Sequence, residues 1–431
     1  IAGPSHSQTI NLIGFLDVPV SAYNTDVWGW VDPVTDMEYA LVGNNATGLH
    51  IVDVCDPENP AIVKTIPTIP SFDIKTWGHY MYTVDGNYGF NGSDGAIVDI
   101  ADPNNPVVVG NIPPGHNIFV DDLGYMYLTF PGLKIFDLNP DPTNPQLVWE
   151  KVSTEGHDVA VVGDRLYDFH GHDGTFIYDV TNRADPVLLG SITDTTIIFH
   201  HSGWSSADDN YLFITDEFSF HPAPDIIVFD ISDPSLPVRA AEIADSTATA
   251  HNAYRIDHLL YVSYYTSGFR VFDISDPTEP VLADEYDTTP LSSEGIFKGA
   301  WGCYPFAPSG NIYVNDRPEG FFVFVLDSTV TGVVSDPPSS FVLQHNYPNP
   351  FNPTTTIDYD VPASGGHVTL LIYDVSGRLV RTMVNGTQTP GRKTVTWDGR
   401  SNRGQMVATG VYFYRMTAPG FAKTRKMVMM K

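Results

Sequence analysis

A chain of 431 residues is too long for one ordinary core and suits two domains, one of them large. Its 36 Gly and 34 Pro, with 12% aromatic and only 17% charged residues, favour short strands and tight turns over helices and point to an all-β protein. A net charge of −29 disfavours nucleic acid and anionic lipid as partners and leaves cations and basic protein surfaces open.

At the N-terminus, Ile stands at position 1 in place of Met, as expected after removal of a secretory leader. INLIGFLDV, from Ile10 to Val18, reads as an apolar strand. From residue 37 to 326 one phrase recurs: GLHIVDVCDPENP from Gly48, GAIVDIADPNNP from Gly95, GLKIFDLNPDPTNP from Gly132, GTFIYDVTNRADP from Gly174, DIIVFDISDPSLP from Asp225, GFRVFDISDPTEP from Gly268 and a degenerate GFFVFVLD from Gly320. β-Branched and aromatic residues make a strand, and the Asp-Pro that follows makes a turn through the Asp side chain and the locked proline φ. Asp53, Asp99, Asp137, Asp179, Asp230 and Asp273 are therefore read as turn formers.

Each unit repeats four pieces. In the fourth, HDVAVV from His157, RLYDF from Arg165, TFIYDV from Thr175 and PVLLGSI from Pro186 read as successive strands. Four strands in roughly 40 to 50 residues make one β-propeller blade, so seven phrases predict seven blades over residues 1–327. The last phrase lacks a fourth strand, and Ile10–Val18 matches the fourth-strand pattern. The N-terminal strand is thus expected to complete blade seven, closing the ring and hiding a sheet edge.

Histidines recur at the blade period. His116, His157, His201 and His251 each open the first strand of a blade, and first strands line a propeller's central channel. Two roles fit them. They form an arc at one channel mouth for Zn²⁺ or another divalent transition ion, or each bonds backbone at a strand start and recurs because the blade does. Blades one, two and seven offer Asn24, Phe72 and Lys298 at matching places, while His170 and His172 in FHGHDG extend the site less directly.

DGNYGFNGSDG, from Asp85 to Gly95, is rich in oxygen ligands for Ca²⁺, but its spacing departs from the EF-hand and suits a turn-rich loop. Trp28, Trp30, Trp77, Trp204, Trp301 and Tyr304 serve either a sugar-binding face or packing between blades. Cys55 and Cys303 lie in blades that adjoin at ring closure, so a disulfide and two free thiols are both open.

Beyond a linker at 328–340 the chain changes character. FVLQHNYPNPFNPTTTIDYDVP, VTLLIYDVSGRLVRTM, KTVTWDGRSNRGQMVATGVYFYRM and FAKTRKMVMMK alternate apolar and polar residues between Gly-containing turns, about seven short strands of an Ig-like β-sandwich over 341–431. From Ser340 onward 11 Lys+Arg face 4 Asp+Glu, against 11 and 47 before it, so the two parts carry +7 and −36.

The repeats resemble LVIVD-repeat propellers. DVWGWVDP, KTWGHYMYTVDG, HNAYRIDHLLYVSYYTSGFRVFDISDP and GAWGCYPF are similar to the "choice-of-anchor B" group of secreted bacterial proteins over residues 8 to 327. The tail, through YPNPFNPTTTI and its basic, apolar last strand, resembles the type A C-terminal sorting domain of type IX secretion cargo and, more distantly, the Ig-like domain of flagellar hook-capping proteins. That resemblance implies an extracellular or outer-surface location, with secretion machinery or a cell-surface anchor engaged through residues 341–431.

No run of about 18 apolar residues exists to span a membrane. HExxH, GxSxG, the P-loop and GxGxxG at a strand-to-helix switch are all missing from the sequence, so no enzyme is expected. The leading expectation is a non-enzymatic structural or binding module, self-assembling as a homo-oligomer or polymer through basic tail and acidic propeller. The rivals are a metal-binding protein or metal-dependent hydrolase using the histidine arc, and a carbohydrate-binding adhesin.

Overall fold

A computed structural model describes residues 7–18, 23–86, 93–218, 224–245, 248–290, 297–329, 341–347, 351, 353–362 and 364–429. The predicted linker lies mostly outside these residues. Among the described residues there is no helix, in keeping with the all-β expectation. The chain divides into two compact units: Gln8–Val34 with Glu38–Asp327, and Ser328–Lys431 with Ile1–Ser7 and Thr35–Met37.

Among its described residues the larger unit holds seven four-stranded sheets. Asn24–Val31, Glu38–Asn44, Gly48–Asp53 and Ala61–Ile66 make the first, in chain order. The next six sheets begin with Asp73–Trp77, Ile118–Val120, Asp158–Val162, His200–Ser205, Ala253–Ile256 and Ala300–Tyr304. In the seventh, the strand beside Gly320–Thr329 is Ser7–Leu16, from the other end of the unit.

The recurring phrase is the third strand of each sheet. Ile51, Val52, Ile97, Val98, Val228 and Val271 are fully buried, because a sheet stacked between two others is apolar on both faces and its inner strands read as continuous apolar runs. In the first six sheets the pairing of third with fourth strand slips by one residue at the same point of the phrase, as between Ile51 and Val52 or between Val271 and Phe272. Each repeated aspartate then accepts the N–H two residues on, as Asp53 does from Cys55 (2.9 Å), Asp179 from Thr181 (2.8 Å) and Asp273 from Ser275 (2.8 Å). The turn-forming role is what the structure gives them.

Neighbouring sheets meet where the fourth strand of one carries glycine. A Cβ at Gly190 would lie 1.7 Å from Pro234 O in the turn of the next sheet. At Gly14, in Ser7–Leu16, it would lie 1.9 Å from Pro57 O in the first sheet. First strands also touch in succession: Asn24–Val31 lies against Asp73–Trp77 and against Ala300–Tyr304. Side chains that alternate inward along these strands therefore gather about one axis.

The smaller unit is an Ig-like sandwich with seven strands among its described residues. Val342–Tyr347, Thr355–Val361 and Gly391–Trp397 form one sheet. Leu379–Gln388, Gly366–Asp374, Gly410–Ala418 and Phe421–Met429 form the other, in that order. Its core is built on fully buried Trp397 and Tyr414 with Leu370 and Ile372, and Trp397 Nε1 donates to Arg400 O at 2.8 Å.

Candidate functional site

The register of first and second strands picks out one inward position per sheet. Phe72, His116, His157 and His251 each donate their backbone N–H to the last carbonyls of the second strand, those of Val84, Thr129, Phe169 and Ser263. In the fifth sheet His200 pairs with Asp216 and Ser202 with Thr215, so His201 is the extra residue of a bulge. The seventh sheet repeats this with Ala300↔Asp316 and Gly302↔Asn315, which makes Trp301 the match for His201. The first sheet is irregular between Asn24 and Val27, and the position falls to Thr25. Two expectations are corrected here: Trp301 stands where Lys298 was expected, and Thr25 where Asn24 was. A bulge adds a residue that blade spacing alone does not reveal.

Six of these side chains form a closed circuit of rings. Centroid separations run 5.1 Å from Phe72 to His116, then 4.3 Å for His116–His157, His157–His201 and His201–His251. They continue at 4.1 Å from His251 to Trp301 and 5.5 Å from Trp301 back to Phe72. Thr25, the small seventh member, lets the last pair meet. Backbone at this level is clamped from the preceding sheet: Thr129 Oγ1 donates to His157 O (2.5 Å), Thr215 Oγ1 to His251 O (2.8 Å), Ser263 Oγ to Trp301 O (2.7 Å) and Asn315 Nδ2 to Thr25 O (2.9 Å).

All four imidazoles are brought together, and each is buried. His251 Nδ1 donates to Trp301 O at 2.6 Å and His116 Nδ1 to Gly86 O at 2.9 Å. With Nδ1–H spent on backbone, the lone pair of each of these rings is at Nε2. Burial drives His116 down to about 4 and His157 to about 3, and it holds His201 and His251 well below the usual range, with neighbouring imidazoles adding to the effect. The circuit is neutral at pH 7.

Glu217 completes the group. It follows Asp216, whose carboxylate accepts the N–H of Ile198 (2.7 Å) and Phe199 (2.9 Å) and so anchors the end of the strand. Glu217 Oε1 accepts from the Tyr265 hydroxyl, Oε2 lies 3.6 Å from His201 Nε2, and Oε1 lies 3.9 Å from His251 Nε2. Burial pushes the Glu217 carboxyl up to about 7. Ligand atoms of His157, His201 and Glu217 all lie within 4.8 Å of one another. Ligands about 3.4 Å apart surround a tetrahedral ion at roughly 2.1 Å, so small side-chain rotations close the set. The cavity above the circuit has a volume of about 250 Å³.

Deeper along the axis the next inward residues are Asp26, Asp73, Asp158, Ser202 and Asn252, all buried, and half-buried Asn117. Lys75 Nζ binds Asp26 (3.1 Å) and Asp73 (2.5 Å) and stands 4.4 Å from the Trp28 ring centre. Below them Trp28, Trp204, Tyr254 and Tyr304 pack ring against ring, with Trp28–Tyr304 at 4.8 Å and Trp204–Tyr254 at 5.5 Å. Three of the tryptophans, Trp28, Trp204 and Trp301, thus belong to the axis. Trp30 is different: it stacks on Tyr39 and donates Nε1 to Gly78 O at 2.9 Å.

His170 and His172 stand apart from the circuit. His170 Nδ1 pairs with buried Asp168 at 3.0 Å, and His172 Nδ1 bonds Ile198 O at 3.0 Å. The disulfide reading is overturned: Cys55 and Cys303 are free, with Sγ atoms directed to Glu38 O and Tyr261 O. Most of the Asp85–Gly95 loop lies outside the described residues; at its ends Ser93 N and Oγ both donate to Asp85 Oδ2 at 2.7 Å. Sequence reasoning missed Glu217, Arg317 and the place of Trp301. Setting AWGCY beneath HHSGW would have matched Trp301 to His201, but nothing periodic marks Glu217.

The LVIVD repeat model matches residues 38–68, 71–113 and 258–288, and the FlgD Ig-like domain model matches residues 351–420. No curated protein matches the chain. Among solved structures, PorZ, an essential bacterial surface component of the type IX secretion system of Porphyromonas gingivalis, aligns at 13% identity with a TM-score of 0.34. The alignment covers 91% of this chain, which spans 64% of that one. What the matches establish is a chain that carries LVIVD repeats and a FlgD Ig-like domain.

Proposed function

We propose that the larger unit is a closed seven-bladed β-propeller serving as a non-catalytic binding module outside the cell, with a divalent transition-metal ion held at its axial mouth by His157, His201 and Glu217. The convergence of these three side chains within 4.8 Å in one buried cavity carries the reading. Neutral imidazoles are ready ligands, because no proton need leave them before an ion binds. His251, with Nε2 3.9 Å from Glu217 Oε1, stands within reach as a fourth ligand. Closure is supported by Ser7–Leu16 beside Gly320–Thr329 and by Ala300–Tyr304 against Asn24–Val31. YPNPFNPTTTI and the basic last strand favour the Ig-like tail as an export and retention address. Docking of one copy's tail on another's body is a second reading, favoured by the opposite charges of +7 and −36.

Elemental analysis of protein purified without chelator, followed by Zn²⁺ titration, tests the ion. One ion per chain is expected, with affinity rising through pH 7 as Glu217 ionises and falling at least ~100-fold in the double variant His157→Ala, His201→Ala. A chain that takes up neither Zn²⁺ nor Ni²⁺ overturns the reading.

A further inference from the structure

Glu217 and Arg317 hold equivalent places. Each follows the aspartate that ends a second strand, Asp216 in the fifth sheet and Asp316 in the seventh, and Tyr265 takes the same place in the sixth. Asp316 is tied down as Asp216 is: its Oδ2 accepts from Thr288 Oγ1 and Thr289 Oγ1, both at 2.5 Å. In the third of the chain opposite, the corresponding residues include Gly86 and Gly171. One side of the mouth is therefore built up by Glu217, Tyr265 and Arg317, and the other is left open.

Arg317 has a firm backbone and an unused head. Its N–H donates to Gly299 O (2.9 Å), and its carbonyl accepts from Asn24 N (3.1 Å). The guanidinium is stacked between two rings, 4.2 Å from the Trp301 centre and 4.7 Å from that of Tyr23. Nε is buried with no hydrogen-bond partner, and among the described residues no carboxylate forms an ion pair with the group. Ring faces offset the charge but accept none of its in-plane N–H donors, so desolvating a guanidinium in this way costs free energy that a bound anion would recover. Burial also lowers its pKa, against an opposing pull from Tyr265, Tyr23 and Glu217.

We infer that this mouth is a binding site for a small planar carboxylate, gripped in the plane of the Arg317 guanidinium. Arg317 lines the same cavity as the imidazole circuit, together with the rings of Phe72, Phe218, Phe297 and Trp301 and the carboxyl groups of Asp26, Asp73, Asp158 and Glu217. A fork of N–H donors matches a carboxylate in two parallel bonds, and flat walls favour a flat body over a tetrahedral oxyanion. The inference deepens the binding-module reading by naming a ligand class for its cavity, and it rests on that reading only in taking this cavity as the site. The metal ion is a separate matter.

Benzoate is the probe, titrated by calorimetry into the full chain in EDTA, with benzyl alcohol and inorganic phosphate as comparisons. Benzoate is expected to bind at least tenfold more tightly than either. Arg317→Gln, which preserves the stack on Trp301 and Tyr23, should weaken benzoate at least tenfold at an unchanged melting temperature, and Arg317→Lys should fall between. Because every titration is run in EDTA, benzoate binding is read with no metal ion bound, so loss of the metal site and loss of the carboxylate site are read apart. Equal affinity of parent and Arg317→Gln, no benzoate binding by the parent, or preference for phosphate would each overturn the assignment.

Discussion

Asp179 and Asp230 sit in solvent-facing turns, where hydrogen bonds from Thr181 and Ser232 hold their carboxyls below the usual range. Asp158 and Glu217 come from the same set of sheets but face the axis, and burial pushes both up to about 7. The contrast is geometric. A turn aspartate bonds donors two residues away on its own chain, so each of its copies acts alone and in water. An inward position is copied around an axis, so residues more than forty apart in sequence stand ring against ring and strip one another of solvent. Repetition thus gives stability at the rim, and at the axis it concentrates groups that are unstable unless paired or liganded.

Lys75 is the strongest lever on that contrast. Among the described residues it is the one cationic side chain paired with both Asp26 and Asp73, and all three are buried. Lys75→Met keeps the stem over Trp28 and leaves two carboxylates without their cation, an expected loss of about 3–5 kcal/mol. Urea unfolding measures it, and Asp73→Asn in the same chain should restore part of the loss. A near-neutral Lys75→Met would break the claim that the axis is held by charge pairing.

Glu217 should respond in the opposite direction. Its ordinary value of 4.5 rises to about 7 on folding, so the native chain keeps a proton that the unfolded chain releases. The Glu217 contribution to stability therefore declines as pH climbs from about 4.5 to about 7, by about 3 kcal/mol, beside a decline of the same sign from Asp158. Glu217→Gln in EDTA should remove the Glu217 share of the decline and leave that of Asp158, stabilising the protein by up to about 3 kcal/mol at pH 8 and by nothing below pH about 4.5. The imidazoles have the reverse sign. Neutral in the fold, they are protonated on unfolding in acid, so stability falls as pH drops from about 6.5 toward 4 in parent and variant alike. A Glu217→Gln gain that is independent of pH would refute this account.

The rim was the legible part. The Asp-Pro phrase encodes its own strand and turn through contacts two or three residues long, so Asp53 to Asp273 could be read directly from the sequence, and Ile10–Val18, which overlaps the observed strand Ser7–Leu16, could be matched to the fourth strands by pattern. The axis was legible only where it repeats. His116, His157, His201 and His251 showed themselves by spacing, while the bulges at Thr25 and Trp301 shifted the count by a residue or more and hid the matching places in the first and seventh sheets. Glu217 and Arg317 differ from residues at equivalent positions, so periodicity carries no trace of them. Their role arises from which sheets adjoin, a tertiary fact.

The smallest effect tests the rim itself. Asp273 Oδ1 accepts the Ser275 N–H at 2.8 Å in a half-buried turn, so Asp273→Ala removes one local bond and leaves the N–H free to meet water. The expected loss is about 1 kcal/mol, with Asp273→Asn close to the parent because its amide oxygen still accepts. The matching variant Asp230→Ala breaks the 2.9 Å bond from Ser232 and lies in another sheet, so the two losses should add to about 2 kcal/mol. Neither should vary between pH 6 and 8, where the axis carboxylates titrate. A loss of several kcal/mol, or one that changes over that range, would mean that the turns share the electrostatics of the axis, and the division between rim and centre would have to be redrawn.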